Sequence, residues 1–348
     1  MNPERLLQHF DRISEAPDAI PRLRQFILNL AVRGKLVEQD PKEEPATELL
    51  KRIRAEKKRL IAEGMRYGAV TPTPMKTEEG PFEIPSSWVW VPFGEIMISR
   101  DGERIPVSKE ERSTRRKTYD YYGASGVIDK IDGYLFDKPL LLIGEDGANL
   151  LNRSTPIAFI ARGKYWVNNH AHVLDAISEG FLRFIELHIN AIDLKPYVTG
   201  TAQPKMNQAK MNSIPIALPP EDEQHRIVAK VDELMALCDQ LEAAKTEREQ
   251  SRDRLVAASL HHLNSPASTE EDNTPDTFRD RARFYFNHLS HLTSRPDHIK
   301  QLRQTILNLA VRGKLVPQDP NDEPVSELLK KVAAERQELI AKGKLKAP

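Results

Sequence analysis

The strongest constraint on this sequence is that it nearly repeats itself. Residues 23–37, LRQFILNLAVRGKLV, return at 302–316 as LRQTILNLAVRGKLV, an offset of 279 residues. The likeness continues from QDPKEEPATELLKRIRAEKKRLIAEG into QDPNDEPVSELLKKVAAERQELIAKG, and 29 of the 42 positions in 23–64 are identical in 302–343. A weaker match reaches upstream, setting Pro17-Asp18 against Pro296-Asp297 and His9 against His288. Two copies so far apart are too few and too distant for a solenoid, in which each repeat buries its face on the next. Equal elements at opposite ends point to pseudo-symmetry.

Each copy reads as a helical hairpin. Leu23, Ile27, Leu30 and Ala31 fall at helical spacing, and Gly34 supplies the C-cap. A proline-rich turn from Asp40-Pro41 to Pro45 follows. Leu49, Leu50, Ile53, Leu60 and Ile61 then mark a second amphipathic helix that Gly64 ends. The identical Arg33-Gly34-Lys35 and Arg312-Gly313-Lys314 turns are read as structural caps.

Between the copies the character changes three times. Residues 65–87, with TPTPMKTEEGPFEIPSS, read as a linker. Residues 88–218 hold all three tryptophans, most of the glycines, β-branched runs such as STPIAFIA and recurrent Asp-Gly turn signals. This predicts a mixed α/β domain, with FLRFIELHINAI (181–192) as its clearest helix. From Pro219-Pro220 a stretch without Gly or Pro begins, and Ile227, Val231, Leu234, Cys238 and Leu241 step along it as a heptad seam. Lys245, Arg248 and Arg252 interrupt the seam. The predicted elements are a long spacer helix at 219–263, a loop at 264–284 and the second helical copy at 285–348. The fold class is α+β: a mixed domain plus long antiparallel helices, with a repeated hairpin at each end. The seam must be buried, and the repeat helices offer the matching face.

Composition narrows the function. Lys+Arg and Asp+Glu both number 51, so the net charge is zero and a uniformly basic nucleic-acid coat is excluded, though not a local basic face. One cysteine, Cys238, excludes a disulfide framework and a cysteine-based zinc site, and its place on the seam makes it a core residue. There is no run of about 18 apolar residues and no apolar leader in MNPERLLQHFDRISEAPD, so a cytoplasmic protein is expected. No phosphate-cradling G-x-x-x-x-G-K-[ST] occurs. Asn168-Asn169-His170-Ala171-His172 lacks a third ligand, so it reads as polar loop or strand before metal site.

The order of segments carries a family likeness. A globular domain opens with PSSWVWVPFGEI and closes with KMNSIPIALPPEDEQHRIVAKVDEL; a long helix and LRQTILNLAVRGKLVPQDPNDEP follow. This resembles the DNA-specificity subunit of type I restriction–modification systems along nearly the whole chain. The resemblance implies that 88–218 is a target recognition domain reading one half of a bipartite double-stranded DNA sequence. The helices would be conserved spacers that dock methyltransferase subunits. Methylation and cleavage would lie on separate methyltransferase and restriction subunits, with S-adenosylmethionine, ATP and Mg²⁺ there and no cofactor in this chain. The family usually carries two recognition domains. This sequence has one, so it looks like half of such a subunit, and a homodimer would supply the other half. A Pro-Pro-aromatic methyltransferase motif is missing, since Pro219-Pro220 follows Leu218. The competing readings are a stand-alone nuclease with a specificity-type domain, and a coiled-coil assembly protein.

Base readout needs planar donors, and phosphate contact needs cations. Three segments offer them. Residues 100–123 carry Arg104, Arg112, Arg115, Arg116 and Lys117 beside Tyr121 and Tyr122, either as a DNA-facing loop or as a solvated loop with core tyrosines. Residues 144–154 place Asn149, Asn152 and Arg153 near a turn, which is also ordinary turn chemistry. Residues 199–210 carry Gln203, Lys205, Asn207 and Lys210 without hydrophobic periodicity, as contact or as structural loop.

Overall fold

A computed structural model describes residues 16–62, 80–200, 202–264, 275–316 and 318–346, the side chains of 61 and 275–277 excepted. Gly64, the His9 match and most of the 65–87 linker lie outside the described residues. The chain divides into two compact units, one up to Glu242 and the other from Ala243. The dividing point falls inside the long helix, not at an edge of the predicted spacer. No helix among the described residues is long and apolar enough to cross a membrane.

The first unit joins the N-terminal copy to the mixed domain. Helix α1 (Ala19–Val32) buries Ile27, Ala31 and Val32 and ends in the predicted cap: Gly34 has φ +65° and Lys35 N–H reaches back to the Leu30 carbonyl at 2.9 Å. Helix α2 (Ala46–Ala62) buries Ala46, Leu49, Leu50 and Ile53. The chain then reaches β1 (Val89–Pro92), which pairs antiparallel with β10 (Pro215–Leu218), so Val89 faces Leu218 across the closed ends of the domain. The described end of the linker belongs to the core. Phe82 and Ile84 pack on it, Arg33 lies over the Phe82 ring, and a Cβ on Gly80 would collide with Trp90.

Inside this closure lie a single turn, α3 (Phe93–Ile96), and two four-stranded sheets. One has the order β2 (Ile98–Ser99), β9 (Ala171–Asp175), β6 (Leu140–Gly144) and β7 (Ala158–Ala161), all antiparallel. The other has β4 (Gly126–Ile131), β3 (Tyr119–Gly123), β8 (Lys164–Val167) and β5 (Phe136–Asp137), with β3 and β8 parallel. Strand β6, LLLIG, is buried at every position, as its unbroken apolar run requires. Short helices α4 (Lys109–Thr114), α5 (Asn149–Asn152) and α7 (Gln208–Asn212) punctuate the loops. Helix α6 (Glu179–Ala191), capped by Ser178, lies on β6 and β7 and also touches α1. That double contact explains why seven of its residues are buried.

Helix α8 (Glu221–Asn264) is the predicted spacer. Its first half runs antiparallel to α1: Arg24 pairs with Asp239 and Glu242, while Gln39 meets Glu223 and Glu43 meets Arg226. Ile227, Val231 and Cys238 are buried there. The seam is shorter than expected, because Leu241 is exposed where the Arg24 ion pairs replace apolar packing.

In the second unit Val256, Leu260 and Leu263 of α8 pack with Tyr285 and Leu292. The 264–284 loop is corrected: Asn264 ends α8, and α9 (Pro275–Asn287) is a helix. Phe278, Ala282 and Tyr285 form its apolar stripe and continue into Leu289 and Leu292 of the single turn α10 (Leu289–Leu292). Acidic and Pro/Ser composition hid that stripe. Helix α11 (Pro296–Val311) runs in the same sense as α8, with Asp253 bonded to Arg295 and His298, and Asn264 to Thr305. Of the two matching repeat helices, α1 therefore runs antiparallel to α8 and α11 parallel to it.

The two copies share local structure and differ in cover. Gly313 repeats the φ of +65°, and Lys314 N–H reaches the Leu309 carbonyl at 2.9 Å. Helix α12 (Val325–Ala341) buries nothing. Leu328, Leu329 and Val332 are 54%, 62% and 52% exposed, whereas their counterparts Leu49, Leu50 and Ile53 are at most 4% exposed.

An aspartate at matching positions should therefore be costly in the first copy and nearly neutral in the second. Ile53→Asp forces a charge into a closed core and should cost upwards of about 3 kcal/mol. Val332→Asp should change stability by no more than about 0.5 kcal/mol. Thermal melts of the two variants test this; equal effects would contradict the difference in burial.

Candidate nucleic-acid interface

Two of the polar segments and the start of the third meet at one corner of the mixed domain. Its centre is Glu145, just past β6. Glu145 Oε2 accepts from Arg104 at 3.0 Å, and Oε1 pairs with Lys205 at 3.1 Å. Its carbonyl accepts from Met206 N–H at 2.8 Å, and the next turn adds Gly147 N–H to the Pro204 carbonyl at 3.0 Å. Burial penalises the Glu145 charge, but His172, Arg104 and Lys205 outweigh it and hold the carboxyl below its ordinary range. The 168–172 stretch closes the corner: the His170 carbonyl accepts from Glu145 N–H at 2.8 Å. His172, on β9, is buried between Asp101 and the Met206 carbonyl.

Several candidate readout residues turn out to hold the fold together. Arg104 donates to the Asp101 and Ala171 carbonyls as well as to Glu145. Arg112 pairs with Asp129, donates to the Val107 carbonyl and lies over the Tyr121 ring. Tyr121 is fully buried with its hydroxyl on the Val107 backbone, so it cannot face a groove. Tyr122 is half-buried, stacks on Phe159, and has its hydroxyl pKa pushed up by burial. Asn149 staples its own turn through Ser154 and Thr155. Arg153, at a left-handed φ of 51°, donates to the Ile192 carbonyl behind α6. Each of these six has a partner inside the fold, and Tyr121 alone among them is fully buried. The core-tyrosine reading of 100–123 holds for Tyr121.

The remaining eight split by environment. Arg115 pairs with Asp132 and Glu111, and Lys117 with Asp129, beside the outer end of the β3–β4 hairpin. Their charges are matched by carboxylates, and Lys117, Arg112 and the Lys130 N–H hold Asp129 far below the ordinary carboxylate range. Arg116 is exposed, and its charge acts on Asp132 without a side-chain hydrogen bond among the described residues. At the corner, Gln203 and Lys210 are exposed without such bonds. Asn207 caps α7 through its side-chain oxygen Oδ1, which accepts from Lys210 N–H, and is itself exposed. Lys205 is exposed beside Glu145, and Asn152 is exposed on α5.

The corner thus presents planar amides and a lysine on backbone held by paired segments. Sequence reasoning missed its organisers, Asp101, Glu145 and His172. Their visible signals were the Asp101-Gly102 and Asp146-Gly147 turns and the two close histidines. Among the described residues no group of three or more His, Cys, Asp or Glu is arranged to hold a metal.

Comparison with known proteins relates the sequence to one family. The family model "Type I restriction modification DNA specificity domain" matches residues 85–249, which begin just before β1 and run beyond β10 into α8. The Escherichia coli type I restriction enzyme EcoAI specificity subunit is 35% identical over 94% of this chain, and the EcoEI specificity subunit is 36% identical over the same share. The chain spans 57% of the length of each. Among solved structures, the type I restriction-modification S subunit from M. genitalium overlaps 72% of this chain and 57% of its own at 14% identity, with a TM-score of 0.35. The HsdS subunit from Thermoanaerobacter tengcongensis overlaps 69% of this chain and 52% of its own at 16% identity, with a TM-score of 0.34. The sequence relationship runs through the domain, the long helix and both copies of the repeat, and the chain belongs to the type I restriction–modification specificity subunits.

Proposed function

We propose that this chain is the non-catalytic DNA-recognition component of a type I restriction–modification complex and reads one half of a bipartite double-stranded target. The observation that carries this reading is the Glu145 corner. It lies within the matched specificity domain, and it displays Gln203, Asn207 and Lys210 from paired backbone segments. Amide side chains suit adenine edges, and lysines suit guanine or phosphate. Arg116 adds a separate phosphate contact. The helical parts dock methyltransferase subunits, a restriction subunit joins the full complex, and S-adenosylmethionine, ATP and Mg²⁺ belong to those partners in the cytoplasm.

The chain pairs with a second copy in this reading. The uncovered face of α12 supports it: Val325, Leu328, Leu329 and Val332 are bare, while the matching side chains of α2 sit in a core with Trp88–Val91 and Phe93. A two-fold pair needs only self-complementary surfaces. It would read a palindromic bipartite site.

Methylome sequencing of cells carrying the chain with its cognate methyltransferase should reveal one bipartite palindromic motif; absence of any new motif would refute the assignment. Light scattering should give twice 39.6 kDa at high micromolar concentration, and a mass fixed at 39.6 kDa would exclude the pair. Arg116→Ala should lower the slope of log K against log salt by about 0.9 without shifting the melt. Arg112→Ala should instead destabilise by about 2 kcal/mol, because it strips buried partners. An unchanged salt slope for the Arg116 variant would remove it from the interface.

A further inference from the structure

His172 carries chemistry that the reading above does not use. Its side chain is 2% exposed. Nδ1 lies 2.6 Å from Asp101 Oδ2, and Nε2 lies 2.9 Å from the Met206 carbonyl oxygen. Both neighbours are acceptors. A neutral imidazole has one N–H, so it satisfies only one of them, while an imidazolium satisfies both. The other Asp101 oxygen accepts from Val173 N–H at 2.7 Å, and Arg104 stands 3.5 Å away.

The Met206 carbonyl belongs to the stretch that displays Gln203, Lys205 and Asn207. We propose that His172, as a buried imidazolium, is the positioning residue that clamps this stretch onto β9 and the Asp101 turn, and so sets where its side chains meet DNA. This rests on the DNA reading above. The ring joins elements distant in sequence: Asp101 in the turn just after β2, His172 on β9, and Met206 near the domain's end. Backbone pairing of Met206 with Glu145 holds one side of the stretch, and the His172 bond holds the carbonyl on the other.

The charged surroundings fix the sign of the pH response. Burial opposes the charge on His172. The hydrogen bond and charge of Asp101, the Met206 carbonyl and Glu145, 3.9 Å away, outweigh it and raise the pKa above 6.5. Arg104 pairs with the same Glu145 oxygen and stands 3.5 Å from Asp101, Lys205 pairs with the other Glu145 oxygen, and His170 pairs with Asp146. A raised pKa means that the clamp is complete below the unfolded value and is lost as pH rises through the folded one. Loss of the proton leaves either Asp101 or the Met206 carbonyl without a donor.

The test begins on the free protein with ¹⁵N-histidine labelling, His172 being assigned by the signal missing from His172→Gln. Both ring nitrogens should be protonated at about pH 6 and lose a proton only above 6.5. A neutral ring at about pH 6 overturns the proposal whether or not the protein binds DNA. Asp101→Asn should lower the pKa, and no change in it would count equally against the clamp. With the methyltransferase subunit bound, wild-type affinity for the target duplex should fall about tenfold across the His172 titration, the worth of a hydrogen bond to a charged group. His172→Gln should start weak and stay flat, while His170→Gln keeps the step. A step that survives in His172→Gln overturns the proposal. Gln203→Ala separates the two readings: if it leaves target affinity unchanged, the DNA assignment of this stretch fails, and the imidazolium result stands by itself.

Discussion

The first unit depends on one buried carboxylate. Glu223, in the opening turn of α8, accepts from Trp88 Nε1 at 2.9 Å and from Gln39 Nε2 at 2.6 Å. Three parts of the chain meet there: the turn of the N-terminal repeat, the first strand of the mixed domain and the start of the long helix. Burial raises the Glu223 pKa, and the two donors and Arg226 work against that. Its place in the first turn of a helix adds a favourable dipole. Around it the β1–β10 pairing brings the domain's ends together, so the domain leaves and re-enters the helical layer at one place. Gly34 shows how tight this junction is, since a Cβ there would strike Pro85 and press on Trp88.

The same sequence element behaves differently in the second copy, where no such junction is present among the described residues. Gln318 matches Gln39, and both reach the carbonyl of the preceding glycine at 3.4 Å. Only Gln39 has a Glu223 to bond. A Cβ on Gly313 would meet only the flexible Gln318. Helix formation and capping are local, so both copies achieve them. Burial is a property of what lies opposite, and only the first copy has a Trp88–Phe93 strand and turn there.

The polar corner follows a similar logic. Arginines and asparagines that looked ready for DNA were consumed by the fold where carboxylates or orphan carbonyls lay within reach, as with Arg104 on Glu145 and Arg112 on Asp129. In the Gln203–Lys210 stretch, Lys205 pairs with Glu145 and Asn207 caps α7, while Gln203 and Lys210 are exposed and no bond to their side chains is seen among the described residues.

Much of the architecture was legible in the residues alone. The hairpin caps, the mixed domain, the α6 segment and the long helix come from local periodicity and turn chemistry, which act over a few residues. The family order could be read from PSSWVWVPFGEI and PIALPPEDEQ. Helix α9 escaped because its stripe of Phe278, Ala282 and Tyr285 sits in a polar background. Tertiary structure alone decided the rest. It sent Tyr121 inward, ended the seam before Leu241, ran α11 parallel to α8, and set His172 between two acceptors far apart in sequence. Each of these depends on which distant segment arrives opposite a residue, and periodicity along one chain carries no information about that arrival.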